Sequence, residues 1–200
     1  MLQTLVQAWR VPELRRKILF TIYVFLVFRL GAHIPVPGVD PTKVSALLSQ
    51  GSLFGFFDVI SGGAFRQLSV FALGIMPYIS ASIILQLLTV AIPALEKLAK
   101  EGEEGRKKII QYTRYGTVVL ALIQSFGAVL LLRNNQAFIS TGWWSMTVVV
   151  ISLVAGTIFL MWLGEMITER GVGNGISLII FAGIVSRFPF MFNQGYTLVH

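Results

Sequence analysis

Long apolar stretches alternate with short polar segments along the whole chain. A helix needs about 20 mostly apolar residues to cross a bilayer, and the pattern predicts about five such transmembrane helices. The expected fold class is therefore all-α, a polytopic membrane helix bundle. The predicted spans are residues 18–35, 67–95, 112–132, 145–164 and 176–192.

The segments between the predicted spans are short and polar. Residues 1–17 mix basic and apolar side chains around Pro12, which predicts an arm lying at the membrane interface rather than a span. Trp143 and Trp144 before the fourth span are typical of interfacial anchors. The other connections are predicted at 36–66, 96–111, 133–144 and 165–175, with a tail at 193–200.

Residues 51–63 have an unusual pattern, because glycines interrupt a strongly apolar run that is too short to span a bilayer. Such a segment is tolerated at membrane depth only where protein or a water-filled cavity surrounds it. We therefore predict a short re-entrant helix docked in a cavity. Its apolar residues are Leu53, Phe54, Phe56, Phe57, Val59 and Ile60.

The composition supports a membrane protein. Hydrophobic residues make up 55% of the chain and charged residues only 12%, whereas soluble proteins average about 25% charged residues. The net charge is +7, and Lys and Arg concentrate in residues 1–17 and 96–111. By the positive-inside rule, this distribution places the N-terminus in the cytoplasm.

Residues suited to catalysis or metal binding are scarce. The chain has no cysteine and two histidines, His33 and His200, which excludes thiolate chemistry and His-rich zinc sites. No Asp, Glu or His lies in the middle of a predicted span, which argues against proton-coupled transport and against a membrane-embedded protease. We expect no cofactor, no metal and no enzymatic activity.

Two polar features lie around the end of the fourth span. The segment 171–175, with the sequence GVGNG, superficially matches a phosphate-binding loop, but that motif requires a preceding strand and a βαβ unit. We expect a tight turn whose glycines take positive φ. Glu165 is a candidate for a proton relay or for organising the loop, and its position near the interface favours the loop.

Two isoleucine pairs share one spacing. Ile75 and Ile79 flank Pro77, which is predicted to kink the second span, and Ile176 and Ile180 repeat the spacing in the fifth. The i, i+4 separation puts each pair on one helix face. Isoleucines in membrane helices usually face lipid or a neighbouring helix. The alternative is a hydrophobic constriction that excludes water and ions, and the residues alone leave both open.

Several segments together resemble the SecY family of channel proteins. The matching stretches read FALGIMPYISAS at 71–82, KEGEEGRKKI at 100–109, QYTRYGT at 111–117 and WLGEMITERGVGNGIS at 162–177. The motif IPVPG at 34–38 also fits. The match follows the order of the family's first five spans and covers nearly the whole chain, so the chain resembles one half of a pseudo-symmetric channel.

The resemblance implies roles for particular residues. Ile75, Ile79, Ile176 and Ile180 match the family's pore ring, and residues 53–66 match the plug that fills the outer funnel. The second and third spans match one side of the lateral gate, with Ser80 and Gln86 as its polar residues. The basic residues expected to contact cytoplasmic partners are Arg106, Lys107 and Lys108.

The resemblance also implies a function, partners and a location. The function is translocation of secretory proteins across the bacterial cytoplasmic (inner) membrane and lateral insertion of membrane proteins into it. The implied partners are the SecE and SecG subunits, the SecA motor ATPase, the ribosome, signal sequences, nascent polypeptides and membrane lipids. The channel itself has no catalytic residues, so a partner must supply the energy.

Two alternatives to a channel come from other functional classes. Half of a secondary transporter built from inverted repeats would also contain broken helices near the midplane. A non-conducting scaffold subunit of a membrane complex is the other. Uptake of a small solute would favour the transporter, whereas binding of a signal sequence would favour the channel.

Overall fold

The computed structural model describes residues 11–40, 42–44, 63–65, 67–139 and 142–186. Within these residues the regular secondary structure is helical, and β-pairing is limited to isolated bridges. This confirms the predicted all-α class. The predicted plug residues 53–60 lie outside the described residues. The helices are α1 (Pro12–Gly31), α2 (Met76–Ala91), α3 (Pro93–Lys100), α4 (Glu103–Asn134), α5 (Trp143–Arg170) and α6 (Gly175–Ser186).

Two of these helices are long and apolar enough to cross a membrane by themselves. They are α4 with 32 residues and α5 with 28, and α2 with α3 adds a third if this bent pair counts as one span. The predicted number of about five spans stays a prediction. Much of the segment expected to be a polar loop at 96–111 is helical, in α3 and the first turns of α4.

Proline bends the chain at a different place from the one predicted. Pro77 lies in the first turn of α2. Backbone N–H groups there have no hydrogen-bond partner within the helix, so proline, which lacks the N–H, does not disrupt it. The kink predicted at Pro77 is therefore wrong. Residues 67–75 form turns before the helix. The bend, 102°, falls between α2 and α3, because Pro93 forces Ile92 into an extended conformation (φ −108°, ψ 114°).

The proline-rich segment after α1 joins three parts of the chain. The Val36 amide donates to the Leu68 carbonyl at 2.9 Å, and the Asp40 amide donates to the Ala137 carbonyl at 2.9 Å. The segment therefore links the turns before α2 to the turn after α4. The bonds enclose an apolar group, the loop cluster, comprising Val36, Val39, Val44, Leu68, Ala72, Val129, Leu132, Ala137, Phe138, Val149 and Leu153. Val149 of α5 is fully buried in this group.

Asp40 also organises the start of the next segment. One of its carboxylate oxygens accepts the Thr42 amide at 3.0 Å and the Thr42 hydroxyl at 2.7 Å. Because these bonds favour the charged carboxylate, they lower the pKa of Asp40 below its ordinary value.

Phe71 connects the turns before α2 to helices on both sides. Its ring stacks on Phe28 of α1 at a centroid distance of 6.1 Å and on Phe159 of α5 at 6.0 Å. Gly31 and Gly156 make room for this segment, because a Cβ on Gly31 would overlap the Phe71 ring and one on Gly156 would overlap the backbone of Val70. The segment at 70–71 is therefore wedged between α1 and α5.

Helix α4 presents small polar side chains to its neighbours. Thr113, Thr117 and Ser125 are buried, and each hydroxyl donates to a carbonyl one turn earlier in α4, at 2.7–3.0 Å. Their polar atoms are thereby satisfied within the helix. Helix α4 packs against both α2 and α5, and small side chains such as these allow helices to approach closely in a membrane.

We expect Phe71→Ala to destabilise the complete protein by about 1–3 kcal/mol. The same substitution in the core of a soluble protein costs roughly 3–5 kcal/mol. The expected loss is smaller here, because a ring that leaves the protein core moves into lipid or detergent rather than into water. Detergent-induced unfolding followed by circular dichroism measures the change. Phe126→Ala is the matched control, since Phe126 on α4 is 56% exposed. Equal effects of the two substitutions would contradict the wedged arrangement.

Candidate functional site

The structure brings the four predicted pore-ring isoleucines together. Ile75 is buried, and Ile79, Ile176 and Ile180 are half-buried around the same apolar group, here called the isoleucine cluster. Its buried members are Val24, Phe28, Ala32, Ala64, Phe71, Ile75, Leu160, Leu163, Ile167 and Ile179. Residues 75 and 176 are separated by about a hundred positions, so only the tertiary fold explains their meeting. A role for them in a pore stays a prediction.

The beginning of α2 determines where Ile75 and Ile79 lie. Ile75 is the residue just before the helix, and its carbonyl accepts the amides of Tyr78 and Ile79, both at 3.1 Å. Tyr78 also packs against the isoleucine cluster. The turns at 67–75 carry Ile75 into the core between α1 and α5, because Phe71 fixes them there.

The turn between α5 and α6 determines where Ile176 and Ile180 lie. Of its glycines, Gly173 has positive φ (+71°), whereas Gly171 (φ −98°) and Gly175 do not. The expectation of positive φ is therefore correct for Gly173 and wrong for the other two. A Cβ on Gly171 would lie 2.7 Å from both the Ile167 carbonyl oxygen and Thr21 Oγ1. Close packing, rather than backbone freedom, therefore requires glycine at position 171.

Hydrogen bonds to three side chains hold this turn in place. The Thr21 hydroxyl accepts the Val172 amide at 3.2 Å, which connects the turn to α1. The Thr168 hydroxyl accepts the Gly175 amide at 2.9 Å, and Asn174 Oδ1 accepts the amides of Ile176 and Ser177 at 3.0 and 3.3 Å. The asparagine thus satisfies amides in the first turn of α6.

An ion pair joins α4 to α5 near the same end of the bundle. Arg114 Nε lies 2.9 Å from Glu165 Oε1, and Arg114 Nη2 lies 2.7 Å from Glu165 Oε2. The two parallel bonds form the bidentate geometry that favours arginine with a carboxylate. Glu165 therefore bonds to α4 from within α5, which continues to Arg170, so the turn predicted at 165–175 begins later than expected. A role of Glu165 in organising this turn stays a prediction.

The two predicted gate residues lie in different surroundings. Ser80 lines a cleft of about 560 Å³ between the start of α2 and α4, and Gln124 shares that wall, whereas Gln86 is exposed on α2. Gln124 is a polar residue inside the predicted third span, which is the sequence signal that could have identified it. Arg114 lies near the start of the same predicted span, and its charge there is the sequence signal for an ion-pair partner on a neighbouring helix.

The predicted partner residues are all solvent-accessible. Arg106, Lys107 and Lys108 are exposed in the first turns of α4. Nearby, Lys100 forms an exposed ion pair with Glu96 at 2.6 Å. Among the described residues, no group of His, Cys, Asp and Glu is arranged to hold a metal ion.

Comparison with known proteins agrees with this architecture. The sequence model of the SecY family matches residues 69–200. The chain is 56% identical to the protein translocase subunit SecY of Buchnera aphidicola subsp. Acyrthosiphon kondoi, over 88% of this chain and 51% of the relative. The corresponding figures are 56%, 88% and 41% for SecY of Escherichia coli (strain K12), and 53%, 92% and 42% for SecY of Pseudomonas aeruginosa.

Two solved structures share the fold. One is titled "The structure of a protein conducting channel" and the other is Sec61 in the canine ribosome-channel complex from the endoplasmic reticulum. Each aligns with a TM-score of 0.60 and 23% identity, over 86% of this chain and 36% of that chain. The chain spans about half, or less, of the length of the relatives it matches. On the sequence matches, with the shared fold in agreement, the chain belongs to the SecY family.

Proposed function

We propose that the chain supplies one half of a protein-conducting channel, with the four isoleucines forming part of its constriction. The observation that carries this proposal is the meeting of Ile75, Ile79, Ile176 and Ile180 in one apolar cluster at the start of α2 and the start of α6. The names of the SecY relatives support a role in protein translocation.

An apolar constriction suits a channel that must pass many different polypeptides. Moving an ion from water into an apolar ring carries a large desolvation cost, so a closed ring resists ion flow. Isoleucine side chains make no directional bonds and accept side chains of varied chemistry. Three of the four isoleucines are half-buried, which leaves part of their apolar surface available to a passing chain.

The segment before α2 is proposed as the plug. Most of residues 53–66 lies outside the described residues, but Ala64 is fully buried in the isoleucine cluster. The segment therefore leads directly into the proposed constriction. A plug must leave its seat during translocation, and local opening of part of a structure can cost far less free energy than global unfolding.

Helices α2 and α4 are proposed as one side of a lateral gate. Ser80 and Gln86 are its proposed polar residues, and Gln124 joins Ser80 beside the cleft between the two helices. A seam that opens toward lipid lets an apolar segment of a translocating chain partition into hydrocarbon. The bidentate Arg114–Glu165 pair would keep α4 attached to α5 while such a seam opens.

The proposed location is the bacterial cytoplasmic membrane, with the N-terminus in the cytoplasm. In that orientation Arg106, Lys107 and Lys108 face cytoplasmic partners, which we propose to be SecA and the ribosome. SecE and SecG are the proposed partner subunits, and signal sequences, nascent polypeptides and membrane lipids are the other proposed ligands. SecA or the translating ribosome would supply the energy for translocation.

A crosslinking experiment tests the proposed path. In the complete channel, Ile79→Cys is combined with a stalled secretory chain that carries one cysteine, and disulfide formation is measured at several stall lengths. We expect a crosslink, because Ile79 borders the proposed constriction. Ile151→Cys on α5 is the control, since Ile151 is 61% exposed on the outside of the bundle. No crosslink at position 79 at any stall length would remove the main support for the channel path.

The ion pair between α4 and α5 is tested by a double-mutant cycle. We expect Arg114→Gln or Glu165→Gln alone to lower the free energy of unfolding by about 1–2 kcal/mol, between the values of exposed and buried pairs. The double variant is expected to lose clearly less than the sum. Lys100→Gln, at the exposed pair with Glu96, is the control and is expected to change little. Additive losses would show that the pair does not couple the helices.

A further inference from the structure

Helix α5 and the beginning of α6 touch through glycine backbones. A Cβ on Gly175 would overlap the carbonyl group of Gly164, so the two backbones approach more closely than any side chain would allow. The side chain of Thr168 fastens the contact. Its hydroxyl donates to the Gly164 carbonyl at 3.0 Å and accepts the Gly175 amide at 2.9 Å. One hydroxyl therefore bonds both glycines.

The proposed ring residue Ile176 lies directly over Gly164. A Cβ added to Gly164 would lie 2.5 Å from Ile176 Cδ1 and 3.5 Å from Ile176 Cγ1. The first distance is shorter than real carbon contacts, so an alanine at position 164 would force the isoleucine to move. The end of the Ile176 side chain thus occupies the space that the missing Cβ leaves.

These contacts act on the proposed constriction through one helix. Ile176 is the second residue of α6, and Ile180 follows one turn later on the same face. A shift in the start of α6 would therefore displace both isoleucines relative to Ile75. Ile75 itself is held independently, by the turns around Phe71.

We propose that Gly164 and Thr168 are positioning residues of the constriction, which set how far Ile176 and Ile180 extend from α5. The inference rests on the proposed function and adds two residues that lie outside the isoleucine ring. Gly164 provides the space for Ile176, and Thr168 holds α6 against α5. Neither residue contacts the translocating chain in this proposal.

The test measures the resting ion current of the complete channel complex in planar bilayers. We expect Gly164→Ala to raise the current several-fold, because the new methyl group displaces Ile176 from its place in the seal. Adding Ile176→Val removes the Cδ1 atom that the methyl group would meet, so the double variant is expected to return toward the current of Ile176→Val alone. Gly127→Ala on α4 is the control, since a Cβ there meets nothing within 4 Å.

A second pair of variants tests Thr168. Thr168→Val keeps the side-chain shape but removes the hydroxyl, and is expected to raise the resting current, whereas Thr168→Ser keeps the hydroxyl and is expected to match wild type. Thermal unfolding of every variant is measured in parallel. A purely structural role would lower unfolding temperatures in step with any rise in current, without rescue by Ile176→Val.

The outcomes separate the inference from the proposed function. If the wild-type complex opens when a secretory chain is added, but Gly164→Ala and Thr168→Val both keep the wild-type resting current, the inference is wrong and the channel proposal stands. If the wild-type complex never opens to a secretory chain, the channel proposal fails. Should Gly164→Ala not accumulate in membranes, the two Thr168 variants decide the inference alone.

Discussion

Close contact between backbones, made possible by glycine, is the constraint on which this half-bundle depends. Lipid is as apolar as a leucine side chain, so burial of apolar surface does little to drive one membrane helix against another. Packing and hydrogen bonds must do so instead. Gly31 and Gly156 admit the segment at 70–71 between α1 and α5, and Gly164 and Gly175 bring α5 against α6. Each contact lies beside the isoleucine cluster.

The same contacts explain why the proposed constriction has a defined shape. Isoleucine side chains alone would form an apolar group without a fixed geometry, since dispersion forces have little directionality. Here the beginning of α2 is held by stacked rings around Phe71, and the beginning of α6 is held by hydroxyl and amide bonds from Thr168 and Asn174. Directional contacts around the cluster therefore position the isoleucines, whose own contacts have little directionality.

Local signals in the sequence predicted the long helices but not the positions at which the chain bends. Charge and hydropathy predicted α4 and α5, because their apolar runs are long enough to cross a bilayer as helices. Proline is an ambiguous signal in the sequence, because Pro77 lies in the first turn of a helix without disrupting it whereas Pro93 ends the helix before it. Only the position relative to the helix distinguishes the two cases. The prediction of a kink at Pro77 failed for that reason.

The candidate site shows the same division. The repeated i, i+4 spacing singled out the isoleucines, yet their meeting depends on long-range packing that no local pattern encodes. Arg114 and Glu165 lie 51 positions apart, so no local sequence pattern indicates that they pair. The family resemblance implied that isoleucines of α2 and α6 belong to one ring. The role proposed for Gly164 rests instead on its contacts in the structure.

The most direct test of the central claim measures whether the isoleucine cluster seals the resting channel. Ile79→Ser with Ile180→Ser places two hydroxyls in the cluster of the complete complex, and Ile184→Ser, at a residue 47% exposed on α6, is the control. The account predicts a higher resting ion conductance for the paired substitution and the wild-type value for the control. Equal conductance in wild type, the paired variant and the control would show that the cluster is ordinary helix packing.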